Sequence, residues 1–338
     1  MSSSRPSARS APLWSPSAPW RSWHRPLVLF AAAMALMAVM SAVGLAVDDR
    51  VLVGAPIWFK PLKFSVSFVA YCLSLAWMLS LLPSGRRVGW WAGTVVALAS
   101  LVEMVIITGQ AVRGKRSHFN HETPFDEALF NVMAVTVVIL WLGTLAVAVL
   151  LLRARIVDRA SAWAMRSGIV LALAGAGVGF LMTQPAPGQR RGVSKVVGAH
   201  SVGVPDGGPS MPLTGWSTTG GDLRIPHFVG MHALQLLPLL VMVLTALAPR
   251  FACLADDRIR LRLVLLASGT YAAAFALVLW QALRGQPLIH PDSATLVAAG
   301  VILAAVTLGT YGSLRAPTPF PPAAHDAEDA PTPKDLVA

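Results

Sequence analysis

Eight apolar runs, each long enough to cross a bilayer, constrain this chain more than anything else in it. At about 1.5 Å of rise per helical residue, roughly 20 residues span a hydrocarbon core of about 30 Å. Runs of that length lie near 27–47, 62–82, 88–112, 124–152, 165–182, 226–248, 261–283 and 292–313. The expected fold is all-α, a polytopic transmembrane helical bundle of about eight spans filling residues 27–315. Composition agrees: 13% of residues are charged, against about 25% in an average soluble domain. The first run is longer than the ~7 to 15 residues of a secretory h-region, so it is expected to be retained rather than cleaved near Gly44-Leu45-Ala46. The flanks, 1–26 and 316–338, lack a hydrophobic period and read as disordered cytoplasmic tails.

Eight spans put both termini on one face. With that face inside, the inner segments hold Arg5, Arg9, Arg21, Arg25, Arg86, Arg87, Arg153, Arg155, Arg159, Arg166, Arg250, Arg258, Arg260, Arg262, Arg315 and Lys334, which is 16 of the 27 basic residues. An inner excess of Lys and Arg is the usual topology signal, so both termini are expected in the cytoplasm. The net charge of +11 is thereby read as membrane-flanking anchors, and its scatter between apolar runs argues against a nucleic-acid partner. Cys72 and Cys253 fall at different depths, which disfavours a disulfide, and no CxxC motif is present.

The orientation places every unusual polar loop on the outer face: 48–65, 113–127 and the long loop 183–225. His118, His121, His200, His227, His232 and His290 lie on or just below that face, leaving His24 and His325 to the tails. Polar stripes descend from it. In the sixth span His227, Met231 and Gln235 climb one side, with His232 about 140° from His227. In the third, Glu103, Gln110 and Arg113 share a stripe, Glu103 lying ~14 Å below the outer end. In the second, Lys63, Ser67, Tyr71 and Ser74 do the same. A polar, histidine-containing site opening to the extracytoplasmic face is the expectation.

Several of these features also have plain structural readings. Thr123-Pro124-Phe125-Asp126 fits a helix cap with Pro at the first position, and Pro226 and Pro291 suit the starts of the sixth and eighth spans. Asp206-Gly207-Gly208-Pro209 reads as a turn. Trp58, Trp90, Trp91 and Trp216 suit interfacial anchoring, and Lys60 and Lys63 could snorkel to headgroups.

Three chemistries are open to such a site. The leading one is binding of a haem or transition metal, because neutral imidazole is the commonest ligand. Candidate cofactor ligands are His227, His232, His118 and His200, and candidate metal ligands His227, His232, His118 and His121. No HExxH or CxxCH motif supports them. The alternative is proton-coupled transport of a small solute, with Lys63, Glu103, Gln110, Arg113, Asp222, Arg224 and Gln235 lining the polar site. A third is an outer-face membrane enzyme acting on a lipid-linked substrate. Asp48-Asp49 resembles in placement the acidic pair of multi-spanning, lipid-carrier-dependent glycosyltransferases. Whether the protein is an enzyme is left open, with no catalytic residue assigned. The expected partners are the lipid bilayer and a small molecule or ion.

Three segments, Gly54 to Phe64, Arg113 to Asn120 and Asp222 to Gln235, are together similar to uncharacterised bacterial polytopic integral membrane proteins. The resemblance runs from the second span through the sixth. It implies a polytopic helical fold in a bacterial cytoplasmic (plasma) membrane, and it brings no activity, cofactor or catalytic residue.

Overall fold

The computed structural model describes residues 22–156 and 158–315. Eight helices, each long and apolar enough to cross a membrane, carry nearly all of it. They are α1 (Arg25–Val47), α2 (Phe59–Ser80), α3 (Arg86–Val112), α4 (Pro124–Arg153), α5 (Arg159–Met182), α6 (Arg224–Leu247), α7 (Asp257–Leu283) and α8 (Ser293–Arg315). The fold is an all-α, multi-pass membrane bundle. Two antiparallel ribbons lie between helices: β1 (Val51–Leu52) with β2 (Ala55–Pro56), and β3 (Ser201–Val202) with β4 (Gly221–Asp222).

The helix starts correct several expected boundaries, each for a local reason. Residues 25 and 26 belong to α1 rather than to a tail. His24 caps this helix, its Nδ1 accepting from Leu27 N at 3.3 Å, and Pro26 fills a first-turn position where no N–H is needed. The remaining tail stretches, 1–21 and 316–338, lie outside the described residues. Helix α5 begins at Arg159 instead of 165 because Asp158 caps Ser161 N at 2.8 Å. Arg166, polar enough to suggest a loop, instead donates to Leu151 O and Ala154 O and closes the end of α4. Thr123 caps α4 as expected, accepting from Asp126 N at 3.1 Å.

Three apolar clusters hold the bundle, one of them made by Phe119, Phe130, Val178, Met182, Leu223 and Ala282. The largest joins α1 to α5 through Leu27, Met34, Cys72, Leu75, Met78, Val96, Met133, Val147 and Met165. Another joins α5, α6 and α7 through Ala164, Ala233, Leu237 and Val264. Helices α5 and α6 approach most closely at Gly175 and Gly230. A Cβ built on Gly175 would lie 2.6 Å from the Gly230 backbone, so only glycine permits the contact. Helix α8 sits outermost, packed on α7, with Thr295 its one buried residue. Cys72 and Cys253 are free thiols.

The long loop 183–223 folds back over the bundle and is tied to the α3–α4 connection. His121 N donates to Lys195 O at 2.9 Å, and Val197 N to Phe119 O at 3.1 Å. Its far end is tied to its middle, with Leu223 N donating to His200 O at 2.9 Å. These backbone hydrogen bonds hold the loop as a cover over the helix ends.

Candidate functional site

The cover and the helix ends beneath it bring cationic and imidazole side chains together at the first turn of α2. Lys60 stands in that turn, half-buried, and its Nζ donates to His118 Nδ1 at 3.0 Å. Ser117 Oγ lies 3.1 Å from the same nitrogen. His118 belongs to the α3–α4 connection, and Phe64, Phe119 and Phe130 surround its ring. Burial pushes the His118 imidazole well below its ordinary pKa, and the charges of Lys60, His200 and His227 act in the same direction. All four groups therefore share one electrostatic neighbourhood.

His200 comes from the long loop, its ring 5.0 Å from that of Phe119. Asp206 orients it, with Oδ2 at 2.8 Å from Nδ1 and both carboxylate oxygens accepting from His200 N. Burial holds His200 below its ordinary value. Arg224 and Lys60 add to that effect, while Asp206 opposes it without overcoming it. Burial works to raise the Asp206 carboxyl, but the hydrogen bonds and charge of His200, with the N–H groups of His200 and Ser201, hold it well below the carboxylate range. His227, in the first turns of α6, donates from Nδ1 to Gly175 O at 2.8 Å. The Nε2 atoms of His200 and His227 make no hydrogen bond among the described residues, so each ring offers a free lone pair.

Glu103 lies below this cluster, 2% exposed, accepting from Thr136 Oγ1 of α4 at 2.5 Å. It is within electrostatic range of Lys60 but forms no ion pair with it. Lys63, one turn on from Lys60, donates to Thr214 O at 3.0 Å and lies over the Phe59 ring. Arg224 is held by Asp222, which is 0% exposed, through Nε at 2.9 Å and Nη2 at 2.5 Å, and it also reaches Gly215 O.

Other expected lining residues go elsewhere. Gln110 and Arg113 converge on Asp126, each at 2.9 Å, and Gln110 also donates to Arg116 O. This knot fastens the α3–α4 connection. His121 packs on Phe130, its Nδ1 3.3 Å from Glu127. The His232 ring packs at a tilt against that of Phe228, centroids 4.2 Å apart, and Phe228 is 45% exposed on the outside of α6. Gln235, in the amide orientation that satisfies it, donates to Met231 O and His232 O of its own helix. Asp48 is fully engaged by the Arg50 guanidinium and by Trp58 Nε1 at 2.7 Å, which hold it well below the carboxylate range.

Among the described residues, no three His, Cys, Asp or Glu side chains are grouped so as to hold a metal ion. The structure adds Lys60, Asp206 and Ser117 to the site. Lys60 reads from the sequence as a headgroup anchor just ahead of the second span, and only the fold sets it in the first turn of α2 beside His118. Asp206 carried no signal beyond its turn chemistry. No family model, no curated protein and no solved structure matches the chain. What the fold and the side chains define is a class, a multi-pass membrane protein with a cationic, imidazole-rich cluster under its loop cover.

Proposed function

We propose that this cluster captures a small anionic solute at the extracytoplasmic face and couples its binding to proton uptake. One observation carries the reading. Lys60 has no carboxylate partner, and its one hydrogen-bond partner among the described residues is the imidazole of His118, whereas Arg50, Arg113, Lys115, Arg224 and Arg284 each pair with an acid. A half-buried cation so placed must take an anion or give up its proton. An anion seated against Lys60 would also lie near Arg224 and draw protons onto His118 and His200. Glu103, deeper on the same side, is a further proton-holding group. Beneath it Leu75, Met78, Val96 and Val147 form an apolar layer that closes the path toward the face bearing the termini. The proposal includes location in a bacterial plasma membrane with both termini cytoplasmic, supported by the Lys and Arg bias.

The test is a melting-temperature titration of the purified protein in chloride-free detergent solution with phosphate, sulfate and acetate. A saturable rise in wild type that is lost in Lys60→Met supports the reading. An equal rise in both proteins overturns it. Transport itself is read in proteoliposomes, where Glu103→Gln should remove the pH dependence of uptake of whichever anion binds.

A second reading, haem or transition-metal binding, is favoured by the anchoring of His200 and His227. Nδ1 of each is held by an oxygen, as in metal-ligating histidines, leaving Nε2 free. An absorption spectrum with elemental analysis separates the two: a Soret band or stoichiometric metal supports the second, and neither counts against it.

A further inference from the structure

A second cationic cavity lies at the opposite end of the bundle, where α1 and α3 begin and α2 ends. It measures about 390 Å³ and is lined by Trp23, His24, Arg25, Leu79, Arg86 and Trp90, with two serines. That volume is at the lower end of small-molecule sites, which run about 300–1,000 Å³. His24 braces the wall rather than offering a donor to it. Its Nε2 donates to Trp90 O at 2.8 Å and its Nδ1 accepts from Leu27 N, so both ring nitrogens are spent. The two arginines are different. Arg25 and Arg86 are exposed, and neither makes an ion pair or hydrogen bond among the described residues, whereas five cations of the loop face are paired with acids. Among the described residues the indole N–H groups of Trp23 and Trp90 also have no acceptor. Trp90 and Trp91, in edge contact at 4.9 Å, are 45% and 57% exposed beside it.

Two guanidiniums on separate helices and two indole donors around one opening form a receptor for a tetrahedral anion with several acceptor oxygens. The cavity's position identifies the source of that anion. It lies level with the first turns of two spanning helices, where tryptophans meet headgroups, and Leu29, one turn on from Arg25, is 70% exposed. A cavity of this size takes a glycerophosphate headgroup rather than a bare ion.

We infer that the cavity between the starts of α1 and α3 binds the phosphate of an anionic phospholipid through Arg25 and Arg86. This site is independent of the cationic cluster beneath the loop cover, so its tests leave Lys60 out. Native mass spectrometry of the full-length Lys60→Met protein, delipidated and then given equal phosphatidylglycerol and phosphatidylcholine, reads the selectivity. The expected result is retention of phosphatidylglycerol at least about tenfold over phosphatidylcholine, reduced to parity in Arg25→Gln/Arg86→Gln and kept in Arg87→Gln. An unchanged melting temperature of the lipid-free double variant shows that the fold survives, and Arg25→Lys/Arg86→Lys should keep part of the selectivity if folding is disturbed. Parity in the parent, or selectivity intact in the glutamine double variant, overturns the site. Full displacement of the lipid by inorganic phosphate at equal concentration would keep the phosphate chemistry and overturn the lipid source.

Discussion

Lys60 sits where helices ordinarily favour acids, in the first turn of α2, and is half-buried as well. Both circumstances cost stability, the dipole about 0.3–1 kcal/mol and burial more. Replacing it by the similarly long, uncharged methionine should leave the ligand-free protein as stable or more stable, which a melting curve in detergent checks. The imidazoles set the pH dependence. His118 and His200 are depressed below their unfolded value of about 6.5, so the folded state binds fewer protons than the unfolded one in that range. Stability should be complete above about pH 6.5 and fall as pH drops below it. A bound anion favours the protonated rings, so anion affinity should instead rise as pH falls from 8 to 6. A titration showing weaker binding at pH 6 in the still-folded protein would contradict the proton coupling. Little of this was legible at the level of single residues. Lys60 reads as a headgroup anchor because the group that gives it another role, His118, lies 58 positions away. Asp206 reads as a turn, since nothing in its neighbours shows that its carboxylate will fold back on His200.

At the scale of elements, the spans were legible because hydropathy is a local property and a helix long enough to cross lipid needs little else. Their starts were less so. Asp158 and Arg166 look like loop residues until their capping roles in α5 and α4 are seen. Polar stripes proved a mixed guide. The stripe Glu103, Gln110 and Arg113 is real on α3, but its members part company: Glu103 turns to Thr136 while Gln110 and Arg113 are consumed by Asp126. The α5–α6 contact at Gly175 and Gly230 bears directly on the site, because Gly175 O orients His227. Gly175→Val should drive the helices apart and destabilise the protein by on the order of 3 kcal/mol, measured by denaturant titration in mixed micelles. A change below about 0.5 kcal/mol would show that the two helices are not locked there.

The molecule as a whole is a bundle closed by an apolar layer on one side, with a loop cover over a cationic cluster on the other. A cysteine introduced at Ser201, in the cover, should react with an impermeant thiol reagent from outside intact cells; labelling only after lysis would reverse the proposed orientation. The central claim is that the cluster holds an anion against Lys60. It is tested most directly by locating one, with selenate diffused into crystals of the protein and found by the anomalous signal of selenium. The expected peak lies at the cluster, its oxygens about 2.7–2.9 Å from Lys60 Nζ, and is lost in Lys60→Met. No peak there in crystals that carry selenate elsewhere, or the same peak in Lys60→Met, would contradict it.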